Sequence, residues 1–185
     1  MAHAFYTIGH STRPIAEFVD LLRLAEVGIV ADVRTLPRSR TNPQYNGDAL
    51  PGALAQLQIA YEHMPTLGGL RKAQDVAPEI NAFWRVQSFH NFADYALSEP
   101  FRRGLARLRV LGRERRCAIM CAEAVWWRCH RRIIADYLLA AGESVFHLLG
   151  TDRIEPAHAT PAARPQPDGS LIYPADEVPR FPALC

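Results

Sequence analysis

Lysine is nearly missing from this chain: Lys72 is the single lysine among 21 Lys and Arg residues. Arginine offers forked hydrogen bonds to phosphate and carboxylate where lysine offers a point charge. A GC-rich genome produces the same bias, so composition alone names no partner. Net charge is only +2, which excludes a global basic field of the kind that announces nucleic acid. Long apolar runs are missing as well. None approaches the roughly 18–20 residues that a membrane span needs, so no membrane partner is expected. The first residues, Met1 to Tyr6, enter a strand-like stretch with no basic leader or cleavage pattern, which predicts a cytoplasmic protein. Cysteine is scarce and clustered. Cys117, Cys121, Cys129 and Cys185 are too few for a disulfide framework and read as reduced thiols.

What is present suits one globular core: 185 residues, 49% apolar and 22% charged. Strand and helix signals alternate, the pattern of a mostly parallel sheet. Strands are expected at residues 4–8, 28–33, 60–64, 116–120 and 144–149, and helices at 14–27, 48–59, 89–97, 100–111 and 128–141. Ser11 or Thr12 is positioned to cap the first helix, and Asp48 the second. The expected fold is a three-layer, Rossmann-like α/β domain over residues 1–150 with a five-stranded sheet. Residues 65–88, broken by Gly68-Gly69 and Pro78, read as a mobile or substrate-facing excursion. Seven of the 14 prolines fall between Pro156 and Pro182, so residues 151–185 read as an extended tail that wraps the domain or dangles.

In open parallel sheets, ligands bind beyond the carboxyl ends of the strands. Three such ends here carry chemistry: Gly9-His10-Ser11, Asp32-Val33-Arg34 and Cys121-Ala122-Glu123. Convergence of three strands on one rim is the main argument for a site. His10 can move protons or, when charged, hold an anion; a packing role explains it equally well. Asp32 and Arg34 share a strand face, as an ion pair or as part of an anion pocket with Arg38 and Arg40. Cys121, before a helix and near arginines, stands where a thiolate is favoured. Yet six residues separate it from Arg128 and none is glycine, which a backbone phosphate cradle normally needs, so the match to a thiolate phosphate loop fails in detail. Cys117, Cys121, Cys129 and His130 are metal-ligand types within one short stretch. No metal is assigned to them, because adjacent Cys129-His130 rarely both reach one ion and Cys117 sits inside an apolar strand. Trp126 and Trp127 beside Arg128 and Arg131 suit a nucleobase over a phosphate, or a tryptophan in the core covered by its neighbour.

Several of these residues sit in ordered motifs: Gly9-His10-Ser11, Asp32-Val33-Arg34, Pro37-Arg38-Ser39-Arg40, Asn42-Pro43-Gln44-Tyr45-Asn46, Leu67-Gly68-Gly69, Phe92-Ala93-Asp94-Tyr95, Met120-Cys121-Ala122-Glu123 and Trp127-Arg128-Cys129-His130-Arg131. Together they resemble the family known as domain of unknown function 488, from Tyr6 to about Leu149. One departure is Asn91 where the family often has glycine. The resemblance implies a fold and a pocket and supplies no reaction. Catalytic candidates are then His10, Cys121, Glu123, Cys129 and His130. Candidates to hold the substrate are Ser11, Asp32, Arg34, Arg38, Arg40, Tyr45, Asn46, Trp127, Arg128 and Arg131. The expected function is an enzyme acting on a small anionic ligand, a nucleotide or nucleic-acid component, with no cofactor assigned. The alternative is a non-catalytic nucleotide- or nucleic-acid-binding module.

Overall fold

A computed structural model describes residues 4–150 and 153–175. Apolar runs become strands β1 (Phe5–Gly9), β2 (Ile29–Asp32), β4 (Cys117–Cys121) and β5 (Val145–Gly150), and the half-buried Ala-Tyr-Glu-His becomes β3 (Ala60–His63). Amphipathic stretches between them become α1 (Ile15–Leu24), α2 (Leu50–Ala55), α3 (Gln87–Tyr95), α4 (Glu99–Glu114) and α5 (Arg131–Ala140). The five strands pair in parallel. A sixth, β6 (Arg153–Pro156), adds antiparallel to β5, giving the order β3-β2-β4-β1-β5-β6. The sheet therefore has six strands, one more than the sequence reading gave. The missed strand is a polar edge, Arg-Ile-Glu-Pro, and its exposure removes the apolar signal that marks buried strands.

Alternate strand residues face opposite layers. Phe5, Ala31, Cys117, Ile119 and Cys121 join Phe92, Phe101, Leu108, Ile134 and Leu138 on one side. Ile8, Val30, Ala118 and Met120 join Phe18, Leu22, Leu50 and Leu54 on the other. The helix after β1 thus packs on one face and the helix after β4 on the opposite face. Since α1 and α5 lie on opposite faces although β1 and β4 are hydrogen-bonded neighbours, the chain parts beyond their paired ends and opens a crevice above Gly9 and Cys121.

Three helices are shorter than the sequence suggests. α1 stops at Leu24 because Glu26 takes a left-handed turn (φ 50°) and the Val27 N–H returns to the Leu22 carbonyl. Ser11 caps nothing, being itself left-handed (φ 47°), and the N-cap position is Pro14. Asp48 caps nothing either: α2 starts from Ala49 and Gln58 (φ 59°) turns the chain towards β3. α5 begins at Arg131, since residues 126–128 form a single 3-10 turn and Cys129 is extended.

The described part of the proline-rich segment is docked. A short hairpin, β7 (Arg164–Pro165) with β8 (Leu171–Ile172), leads to Tyr173, which is fully buried. The Tyr173 hydroxyl donates to Asp136 at 3.0 Å, the Thr160 N–H to the same carboxylate at 2.8 Å, and the Tyr173 N–H to Asn81 at 3.0 Å. Asn81 also anchors the irregular 65–88 stretch by donating to Asp94 at 2.7 Å. Cys185 lies outside the described residues. Among the described residues, no helix is long and apolar enough to cross a membrane.

Candidate functional site

The crevice is closed at its base by an approach only glycine permits. Past the end of β1, the His10 and Ser11 N–H groups donate to the Cys121 and Ala122 carbonyls at 2.9 and 3.0 Å. This continued pairing brings the Glu123 carbonyl to where a Cβ on Gly9 would lie, 1.9 Å away. Gly9 therefore holds the two loops in contact.

On one wall, Arg34 is held rather than offered. Its Nε donates to Asp32 Oδ1 at 2.9 Å, and one terminal nitrogen donates to Asp32 Oδ2 at 2.6 Å and to the Tyr45 carbonyl at 2.7 Å. The Tyr61 hydroxyl adds a bond to Asp32 at 2.7 Å. The remaining terminal nitrogen of Arg34 faces His10 Nε2 at 3.2 Å. A carbonyl can only accept, so the 2.9 Å contact from His10 Nδ1 to the Ser11 carbonyl places the ring proton on Nδ1. Nε2 is then the acceptor for Arg34. Burial and the neighbouring Arg34 charge hold His10 below its ordinary pKa. With both nitrogens engaged and the ring stacked on Tyr45 at 4.2 Å, His10 orients Arg34 and has no lone pair left to shuttle protons. Asp32 and Tyr45 are fully buried, so the structure places them behind the wall, not at a ligand. Asn46 likewise serves the loop, accepting from the Ser39 N–H at 2.6 Å.

On the other wall, three chemically reactive groups meet. The Cys121 sulfur, the Cys129 sulfur and a His130 ring nitrogen all lie within 4.8 Å of one another. The sequence argument that Cys129 and His130 would diverge fails for a specific reason. Extended Cys129 (φ −129°, ψ 146°) turns back towards Cys121, while His130 (φ −58°, ψ −15°) starts the helical turn, so both side chains reach one point. Cys117 stays inside the sheet, fully buried, its thiol pushed up to about 12 by burial. His130 Nε2 meets the Val33 carbonyl at 3.0 Å and must carry a proton there, which turns Nδ1 towards Cys129 at 3.6 Å. Gly69 packs on this ring: a Cβ there would lie 2.5 Å from Nδ1.

Arg131, expected as an anion ligand, is 1% exposed and points inward. It donates from Nε to the Cys129 sulfur at 3.2 Å and from a terminal nitrogen to the Glu123 carbonyl at 2.6 Å. No carboxylate pairs with it among the described residues. A buried cation needs an anion nearby, and Cys129 supplies it. Burial alone would raise that thiol, but the Cys121 hydrogen bond, the Arg131 charge and the adjacent His130 ring bring it well below the usual range. Cys121 is pushed up in turn, because its proton bridges to Cys129 and because it is buried.

Both walls border one cavity of about 730 Å³. Of the sequence candidates it is lined by His10, Ser11, Arg34, Arg38, Cys121, Glu123 and His130. A side chamber of about 150 Å³ reaches Cys129 and Arg128 past Gly69, Ser88 and Phe89. Asp32, Arg40, Tyr45, Asn46, Trp127 and Arg131 line neither space. Trp127 is 48% exposed and away from it, while Trp126 stacks on His147 at 4.3 Å. The sequence reading missed Thr35, Leu36 and Leu70 as wall residues. The glycine pair at 68–69 was the signal for the last, since only a close approach asks for both; a Cβ on Gly68 would lie 2.5 Å from the Thr35 hydroxyl.

No curated protein and no solved structure matches this chain. A family model, domain of unknown function DUF488, matches residues 14–138, which span β2, β4 and the whole Cys121–Arg131 wall. The chain therefore belongs to the DUF488 family.

Proposed function

We propose that this protein is an enzyme acting on a small anionic substrate, a nucleotide or a nucleic-acid component, with its chemistry at the Cys121–Cys129–His130 cluster. The observation that carries this reading is the buried Arg131–Cys129 pair, a sulfur held by a guanidinium in the small side chamber of a ligand-sized cavity that Cys121 and His130 line. Purely structural cysteines have no need of a buried guanidinium. Substrate charge is matched by Arg38, exposed at the cavity wall and free of any ion pair among the described residues. Its apolar part is matched by Leu36 and Leu70, 70% and 74% exposed, on the same cavity. A phosphate at Arg38 with a base against these leucines fits both features and a volume typical of small-molecule sites.

A thermal-shift series with inorganic phosphate and with nucleoside mono- and diphosphates tests this, because a specific ligand stabilises only the folded state. The nucleotides are expected to raise Tm and phosphate alone to do less. Arg38→Ala should lower nucleotide affinity at least about tenfold while leaving the unliganded Tm unchanged. An unchanged response in Arg38→Ala, or none in the parent, overturns the reading. Retained nucleotide binding with no turnover, in parent and Cys129→Ser alike, identifies a binding module instead.

A further inference from the structure

The three converging donors have the composition and the surroundings of a metal centre, and we propose that Cys121, Cys129 and His130 bind one zinc ion, leaving a fourth position open to the cavity. Two thiolates and one imidazole are borderline-soft donors of the kind zinc takes, and three protein ligands with a free position is the arrangement of catalytic rather than structural zinc. The geometry agrees. Bonds of about 2.3 Å to sulfur and about 2.0 Å to nitrogen, at tetrahedral angles, set sulfur and nitrogen about 3.5 Å apart. Cys129 Sγ and His130 Nδ1 already stand 3.6 Å apart. No pair among the three donors exceeds 4.8 Å, so closing on an ion asks for shifts of an ångström or less at side-chain ends.

The surroundings make a stronger case than the donors. A ligating histidine nearly always donates its other ring N–H to a carbonyl or carboxylate, which fixes the tautomer that ligates. The His130 Nε2 contact to the Val33 carbonyl at 3.0 Å does this and leaves Nδ1 as the free donor. The Arg131 backbone N–H and Nε both point at the Cys129 sulfur, at 3.5 and 3.2 Å, and hold it facing its partners. Gly69 packs directly on the His130 ring and limits its rotation.

Charge then selects the fourth ligand. Two thiolates cancel a divalent ion, and Arg131 adds one buried positive charge beside them. The centre is left at about +1, and an anion in the open position neutralises it. This deepens the proposed function and rests on its placing the chemistry at this cluster: the anion held by Arg38 would present an oxygen to the ion, which adds a Lewis acid to the site.

The test is metal titration of the full chain, stripped with a chelator under reducing conditions. Co2+ serves as the spectroscopic probe and Zn2+ as the competitor. The expected result is one equivalent of Co2+ with thiolate charge-transfer and tetrahedral ligand-field bands, displaced by one equivalent of Zn2+. Cys129→Ser, Cys121→Ser and His130→Gln should each weaken Zn2+ at least about a hundredfold, while Cys117→Ala leaves it unchanged. Circular dichroism and Tm of the stripped variants show whether they fold, and Arg131→Lys gives a folded variant with the donors intact. Binding that survives the cluster variants, a tetrahedral spectrum that never appears, or a Cys121–Cys129 disulfide as the state that persists under reductant overturns the proposal. No metal binding by the parent chain, with its nucleotide stabilisation intact, rejects the zinc centre alone. Zinc binding without any nucleotide response rejects the substrate reading alone.

Discussion

Arg131 and Cys129 form a buried pair in which a guanidinium that is 1% exposed finds its counter-charge in a sulfur 3.2 Å from Nε. Ion pairs of this kind usually employ a carboxylate. Using a thiol makes the anion reactive, and it makes the charge conditional on two other groups, the Cys121 proton and the His130 ring.

Removing that cation should therefore show in the chemistry of the sulfur before it shows in the fold. In metal-free Arg131→Met, Cys129 can take up a proton rather than remain a buried unpaired anion. The thiolate absorbance titration is expected to move up by about one pH unit or more. Arg131→Lys, which keeps the charge and loses the fork, should recover part of the shift. A titration that does not move in Arg131→Met would show that Arg131 does not set the thiolate.

Asp32→Asn addresses the other wall, where the loss falls on stability. Arg34 is 6% exposed, and Asp32 supplies both of its carboxylate contacts. Breaking a buried pair from one side leaves the other charge uncompensated, at roughly 3–5 kcal/mol. Tyr61→Phe removes one hydrogen bond to the same carboxylate and should cost about 1 kcal/mol. Glu62→Gln breaks the Arg107 pair, whose arginine is 52% exposed, and should cost the least of the three because solvent screens it. Urea unfolding of the three variants orders them. If Asp32→Asn falls no lower than Glu62→Gln, the Arg34 network is not structural.

The sequence signals were strongest where burial is continuous. Of the five parallel strands, β1, β2, β4 and β5 are short apolar runs and β3 is a half-buried edge, Ala-Tyr-Glu-His; each appears within about two residues of where it is predicted. Signals were weakest where an element is short or exposed. β6 is a polar edge containing Pro156, and α2 carries only Leu50 and Leu54 into the core. The rim itself was legible, because the strand-end rule depends on topology and not on side-chain detail. What each rim residue does there was not. Tyr45 and Arg131 look like ligand contacts in a linear chain, and only tertiary packing turns them inward. The meeting of Cys129 with His130 depends on one 3-10 turn at 126–128 and one extended residue after it, a backbone detail that composition does not report.

Two glycines separate fold from site. Gly9→Ala would drive a Cβ into backbone, the Glu123 carbonyl 1.9 Å away, so the β1 and β4 ends must part. Gly69→Ala meets a side chain, the His130 ring at 2.5 Å, which can turn aside. Gly9→Ala is expected to lower Tm strongly or abolish soluble folding. Gly69→Ala should keep its Tm within a few degrees yet weaken Zn2+ at least about tenfold, as loss of a ligand's orienting contact does. The reverse order of the two Tm values would contradict the packing described for Gly9.

Acid stability should depend on His147, which lies far from solvent beneath Trp126. Its ring is 1% exposed, Nδ1 meets the Thr7 hydroxyl at 2.7 Å, and burial, with the Arg131 charge, lowers its pKa from 6.5 to about 4. A lowered histidine pKa means that the unfolded chain binds the proton more readily. The stabilisation is thus complete above about pH 6.5 and is lost as pH falls towards about 4, on the order of 3 kcal/mol in all. His10 is shifted in the same direction, and Asp136, raised by burial, in the opposite sense for stability. Comparison with His147→Gln isolates the one group. Unfolding free energy measured by urea from pH 7 to 4 should fall more steeply in the parent than in the variant, with the difference confined to that window. Parallel pH profiles would mean that His147 carries its charge in the folded protein, against the packing of its ring on Trp126 at 4.3 Å.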